Sequence, residues 1–196
     1  MMQHAPLFIV LLPVSAALLC MLFSRIQKNL GSWIVIGSIA AAFMSAVTVL
    51  QHVIADGGKP IHYWMGNWQP PLGIEFVIDP ISGVLAVLIT FISLLGSLYS
   101  LPFVKEEGWL HVGGYYTLYG LMTVGMCGMV ITGDVFNLYV FLEVMSLSGY
   151  GLIALGGKKS MLAAFRYLLI GTIGASLYLL GVGYMYALTG TLNMAD

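Results

Sequence analysis

Six stretches of this chain, at roughly 5–24, 31–54, 79–104, 113–132, 135–156 and 161–188, stay apolar over the length a membrane demands. A helix needs about 20 mostly apolar residues to cross a hydrocarbon core of about 30 Å. No other feature narrows the fold so far. The expected class is an all-α membrane protein, a bundle of about six transmembrane helices with the lipid bilayer as its surroundings. Composition agrees. Charged residues make up 8% of the 196, and the mean hydropathy is +0.97. A soluble domain carries about 25% charged residues, and a water-soluble globule of this size cannot expose so little charge.

The breaks between the runs are readable. "SRIQKN" separates the first two, "KEEGWLH" the third and fourth, and "GGKKS" the fifth and sixth. "TGD" makes a very tight turn between the fourth and fifth, with Asp134 placed to cap the fifth helix. Asp79 opens the third helix in the same way, and Pro80 follows at a first-turn position that tolerates proline. The long break, 55–78, is too polar and too rich in glycine and proline to span. Its "IHYWM" and "IEFVI" segments are β-prone and flank the turn-rich "GNWQPPLG", so a small surface hairpin is one expectation and an irregular loop the other. Tyr63, Trp64 and Trp68 suit the headgroup level.

Orientation follows from the basic residues. Arg25, Lys28, Lys105, Lys158 and Lys159 fall in one set of loops, and Lys59 alone in the other. The rich set belongs in the cytoplasm. That predicts a multi-pass protein of the cell membrane with both termini outside. The first run, "MMQHAPLFIVLLPVSAALLCMLF", has no basic residue ahead of it, which is the wrong order for a cleaved secretory signal. It is read as the first helix. A net charge of -1 argues against nucleic acid as a partner.

Several features carry packing rather than chemistry. Cys20 and Cys127 lie in apolar runs and read as small buried hydrophobes. Gly120, Gly125 and Gly128 on the fourth helix, and Gly171, Gly174, Ala175, Gly181 and Gly183 on the sixth, would let backbones approach closely. "GTIGAS" has no lysine and lies inside an apolar span, so it is no nucleotide loop. His4, His52 and His62 are scattered along the sequence and suggest no metal site. No nucleophile–base pair is visible, so an enzyme acting alone has little support.

Ionisable groups inside the spans are few, and Glu143 is the deepest. It lies about 13 Å along a helix from Asp134 and about 18 Å from Leu155. A carboxylate near mid-membrane is costly, and it faces a bundle interior, a partner charge or water. A proton or ion pathway is the leading expectation. A neutral glutamic acid bonded to a neighbouring helix is the plainer one. Tyr139 and Ser146 share its face at i−4 and i+3, and each can donate a hydrogen bond to the carboxylate or pass on a water. Arg166, about 9 Å into the sixth helix, is the second candidate, although an arginine this shallow can snorkel to the headgroups. His111, at the mouth of the fourth helix, is a candidate proton relay or a plain interfacial histidine. Lys105, Glu106 and Glu107 read as a solvated cytoplasmic loop.

The stretches "TGDVFNLYVFLEVMSLSGYGLIAL" and "AAFRYLLIGTIGASLYLLGVGYMYALTGTLNMAD" resemble the antiporter-like membrane subunits. These comprise the D subunit of Mrp-type cation/proton antiporters, its relatives in membrane-bound hydrogenases, and the three large proton-pumping subunits of complex I. "HYWMGNWQPPLGIEFVIDPISG" resembles that family's outer loop before the third helix. The likeness is nearest to the Mrp antiporter branch. It implies that Glu143 matches the family's essential fifth-helix glutamate, and Arg166 a sixth-helix basic residue that is more often lysine. It implies no haem, flavin or iron–sulfur cofactor in this polypeptide. Other subunits of a membrane complex are the implied partners, with protons and sodium as the implied ions. Coupling by sodium/proton antiport and coupling by redox-driven pumping in an NADH:quinone oxidoreductase-like complex both remain open.

Within this resemblance, 1–112 hold three N-terminal helices with the outer loop, and 113–196 the first three helices of an incomplete antiporter-like repeat. Family members have about fourteen helices, of which 4–8 and 9–13 form two inverted five-helix repeats. The sequence stops at "TLNMAD", before the seventh helix, which carries the lysine that pairs with the fifth-helix glutamate. A fragment, a truncated gene product and a split subunit are the three expectations. The rival from another class is a non-transporting scaffold whose helices dock other subunits.

Overall fold

Lipid offers backbone N–H and C=O groups no hydrogen-bond partner, so a spanning segment satisfies them internally as a helix. The computed structural model describes residues 4–27, 29–68, 70, 73–104 and 109–195. Among the described residues six helices are long and apolar enough to cross a membrane. They are α1 (Ala5–Ile26), α2 (Leu30–Ala55), α3 (Pro80–Val104), α4 (Trp109–Ile131), α5 (Val135–Ala154) and α6 (Lys158–Thr189). The expected spans are present, with α4 and α6 starting about a turn earlier than their apolar runs. Lys28 and the 105–107 loop lie outside the described residues.

The 55–78 break is a hairpin rather than an irregular loop. Strand β1 (Ile61–Trp64) pairs antiparallel with β2 (Glu75–Ile78), with Ile61 opposite Ile78 and Trp64 opposite Glu75. The hairpin caps one end of the bundle. His4 Nδ1 lies 3.1 Å from the Tyr63 hydroxyl. Phe76 bridges Thr132 at the α4–α5 turn, and Asp134 bridges Asn193 beyond α6. Arg25, Lys158 and Lys159 lie at the opposite end, where α1 finishes and α6 begins.

Helix α4 is central. It packs against α1, α3 and α5, and α1 and α2 lie side by side. One core cluster, near the hairpin, joins Ile9, Val49, Phe76, Ile78, Val124, Cys127 and Ile131. A second, nearer the opposite end, joins Cys20, Val35, Ile39, Val112 and Tyr116. Both cysteines are buried and free, as their apolar setting suggested. Helix α6 packs chiefly on α5 and leaves most of its length exposed.

The small residues divide by helix. A Cβ on Gly125 would sit 2.6 Å from Met145 N and 2.7 Å from Phe141 O, and one on Gly128 would strike the Phe141 ring. These two glycines set how closely α5 approaches α4. On α6 only Gly171 does comparable work, facing the Tyr150 ring. Gly174, Gly181 and Gly183 have no neighbour within 4 Å among the described residues. Among the described residues, the close packing expected of the α6 glycines is met at Gly171. A small residue permits an approach, but a second backbone has to be there to make it.

Candidate functional site

Helix α5 positions Glu143, and its start is firmly built. Asp134 adopts extended backbone and its Oδ1 accepts the Asn137 N–H at 2.6 Å. That satisfies one of the donors a helix start leaves free. Asn137 is buried, and its side-chain amide donates to Thr132 Oγ1 at 2.9 Å. It braces the turn between α4 and α5. Asp79 caps α3 as expected, accepting the Ser82 N–H at 2.7 Å. Asp134→Ala should cost about 1 kcal/mol of helix stability. Faster backbone exchange confined to the first turn of α5 would register it.

Glu143 lies eight residues past the start of α5, about 12 Å along the helix, and is half-buried. Its carboxylate interacts with the Tyr139 hydroxyl one turn back. The Tyr139 ring in turn stacks on Tyr178 of α6, with centroids 6.2 Å apart and planes 9° from parallel. Tyr178 donates to the Val135 carbonyl at 3.2 Å. The carboxylate thus stands at the end of a tyrosine pair linking α5 to α6. Ser146 is half-buried one turn further on, on the same face of α5.

The other two candidates lie apart from Glu143. Arg166 is exposed on α6. Among the described residues the ion pairs are His52–Asp56 and His62–Glu75, so Arg166 forms none with Glu143. His111 is two residues into α4, at the end away from the hairpin. It is about 21 Å of helix from Gly125, the α4 residue that lies between Phe141 and Met145 and so is level with Glu143.

The fold also assembles a polar knot that sequence reasoning did not single out. Glu75 is buried at 5% exposure. Its Oε1 lies 2.6 Å from His62 Nδ1 and accepts from Trp64 Nε1 at 3.1 Å, while its Oε2 accepts from Asn193 Nδ2 at 2.9 Å. Burial pushes this carboxyl up. The hydrogen bonds from Asn193, His62 and Trp64, with the His62 charge, outweigh burial and hold it below the ordinary 4.5. The folded value is depressed, so the stabilisation is present above pH 4.5 and is lost as pH falls through the lower folded value. In detergent, the gap in unfolding midpoint between the wild type and Glu75→Gln should be widest near neutral pH and shrink on acidification. A gap independent of pH would contradict this account. The one sequence signal was an acid in an otherwise apolar strand, "IEFVI".

The histidines are not scattered in space. His52 and His62 line one cavity of about 220 Å³ with Ala5, Pro6, Thr48, Val49 and Ile61, and His4 stands against Tyr63 on the same hairpin. Among the described residues no three His, Cys, Asp or Glu side chains are placed to hold a metal.

The structure is a multi-pass bundle, capped at one end by a hairpin, with a carboxylate near the middle of α5. Residues 132–196 match the model of the NADH:quinone oxidoreductase/Mrp antiporter transmembrane family. The N subunit of the Desulforudis audaxviator NADH-quinone oxidoreductase is 44% identical over 196 residues, all of this chain and 39% of the relative. The D subunit of the Bacillus subtilis Na(+)/H(+) antiporter is 33% identical over 190 residues, 95% of this chain and 37% of the relative. The structure of an archaeal membrane-bound sulfane sulfur reductase matches with a TM-score of 0.90 at 32% identity, over 98% of this chain and 39% of that one. The Mrp complex of Dietzia sp. matches at 0.83 and 26%, over 98% and 35%. The chain thus spans about two fifths of the length of the curated relatives it matches.

Proposed function

We propose that this chain is the N-terminal part of an ion-translocating subunit in a multi-subunit complex of the cell membrane, and that Glu143 carries the proton. The observation behind this is a half-buried carboxylate near mid-span, coupled to Tyr139 and through it to Tyr178. Desolvation raises a carboxyl pKa and a nearby cation lowers it. A group balanced between the two loads and releases a proton as a neighbouring charge moves. The cation is expected from outside these 196 residues, since Arg166 is not paired with Glu143 among those described. Arg166, Ser146 and His111 are proposed as further points along the path, joined to Glu143 through water. Residues 113–196 would form the start of the ion-translocating repeat and 1–112 its N-terminal companion.

The basic-residue asymmetry supports an outward-facing hairpin end, with both termini outside. Sodium/proton exchange is the coupling favoured by resemblance to the Mrp antiporters. A redox-driven proton pump is the second reading, favoured by the 44% identity to part of a quinone oxidoreductase. Proton flux into vesicles carrying the assembled complex tests both. Glu143→Gln should abolish it, and dependence on sodium rather than on an electron donor identifies antiport.

A further inference from the structure

We propose that Glu75 is a positioning residue for the proton path: its carboxylate clamps the segment after α6 to the hairpin, and so holds the turn from which α5 hangs. The Glu143 half of this rests on the proton-carrying role proposed above; the clamp itself does not.

The geometry is a knot of three chain segments. Glu75 Oε1 takes His62 and Trp64 from β1, and Oε2 takes Asn193, 118 residues away in sequence. The Glu75 backbone carbonyl accepts the Gly133 N–H at 2.9 Å, inside the α4–α5 turn. The segment after α6 then closes on the same turn. Val135 N–H donates to Leu192 O, and Met194 N–H to Gly133 O, each at 2.9 Å. All three backbone bonds fall on the immediate neighbours of Asp134, the cap of α5. Releasing Asn193 therefore frees the strand-like segment that pins both sides of that cap.

The donor pattern makes the clamp specific to a carboxylate. Asn193 cannot turn its amide around freely, because its Oδ1 accepts the Ala195 N–H at 2.8 Å. Its Nδ2 must donate. Trp64 Nε1 can only donate. Each carboxylate oxygen thus meets a fixed donor. A glutamine at 75 puts its NH₂ against one of them in either orientation. A buried donor left unpaired is costly.

The test is a charge-relocation pair, Glu75→Gln alone and with Asn193→Asp. The second change supplies an acceptor for the glutamine NH₂ and keeps an oxygen for Ala195. Hydrogen exchange of the chain in lipid nanodiscs reads the clamp. Glu75→Gln should speed exchange of the Gly133, Val135 and Met194 amides about tenfold or more, with α2 unchanged. Asn193→Asp alone, which sets two carboxylates face to face, should do the same. The double variant should restore protection. Wild-type exchange in Glu75→Gln, or no restoration in the double variant, overturns the clamp.

Proton flux through the assembled complex reads the positioning role. It should fall several-fold in Glu75→Gln and recover in the double variant, which a generally damaged fold would not do. Loosened exchange with unchanged flux overturns the positioning role. Glu143→Gln is run alongside: flux equal to wild type there would remove the proton-path reading and the positioning role with it, while exchange still judges the clamp.

Discussion

Replacing Glu143 with glutamine in the assembled complex is expected to abolish coupled proton flux, a loss of about a hundredfold or more, as befits removal of a positioned proton-transfer group. Glutamine keeps the size and the hydrogen bond to Tyr139 but cannot take up and release a proton. The loss should therefore come without unfolding, and the melting midpoint should stay near wild type or rise, because a neutral amide costs less in lipid than a carboxylate. Glu143→Asp retains the acid but draws it one methylene away from Tyr139, so an intermediate flux is expected. Tyr139→Phe should lower flux less than either. Flux unchanged in Glu143→Gln would leave the glutamate as a satisfied buried acid and favour a non-transporting scaffold.

The largest loss of stability is expected at Gly125. A side chain there meets the α5 backbone itself, at Met145 N and Phe141 O, and backbone cannot rotate aside as a side chain can. Overpacking of this kind costs about 1–3 kcal/mol, occasionally more. Gly125→Val should therefore lower the thermal midpoint in detergent clearly. Since α5 must slide to make room, it should impair flux as well. Gly174→Ala and Gly181→Ala are the controls. Both face open space, and alanine is the better helix former by about 0.5–1 kcal/mol, so neither should destabilise. Equal damage from all three would mean that α6 glycines face a partner absent from this chain.

Much of the architecture was legible because its causes are local. A run of apolar residues longer than the bilayer is thick can only be a spanning helix, and the same physics located all six. The caps at Asp79 and Asp134 were legible because a cap needs only its own three following residues. The hairpin followed from two β-prone segments around a turn. Glu143 stood out as an isolated carboxylate, and its link to Tyr139 followed from helical spacing.

What escaped the sequence is what depends on partners far along the chain. Asn193 meets Glu75, and Tyr178 meets Tyr139, because α6 runs back alongside α5 to the hairpin end. No periodicity encodes either meeting. His52 and His62 look unrelated in sequence, yet share one cavity because α2 ends close to where β1 begins. Glycine content announced close packing on both α4 and α6, but among the described residues the α5 backbone comes up against Gly125 of α4, while Gly174, Gly181 and Gly183 of α6 meet nothing within 4 Å. Class, spans and the one costly charge could be read from residue order, since burial in lipid is set by composition and length. Which polar groups answer one another was settled by the fold, because a hydrogen bond needs two atoms within about 3 Å, and chain order does not say which segments meet.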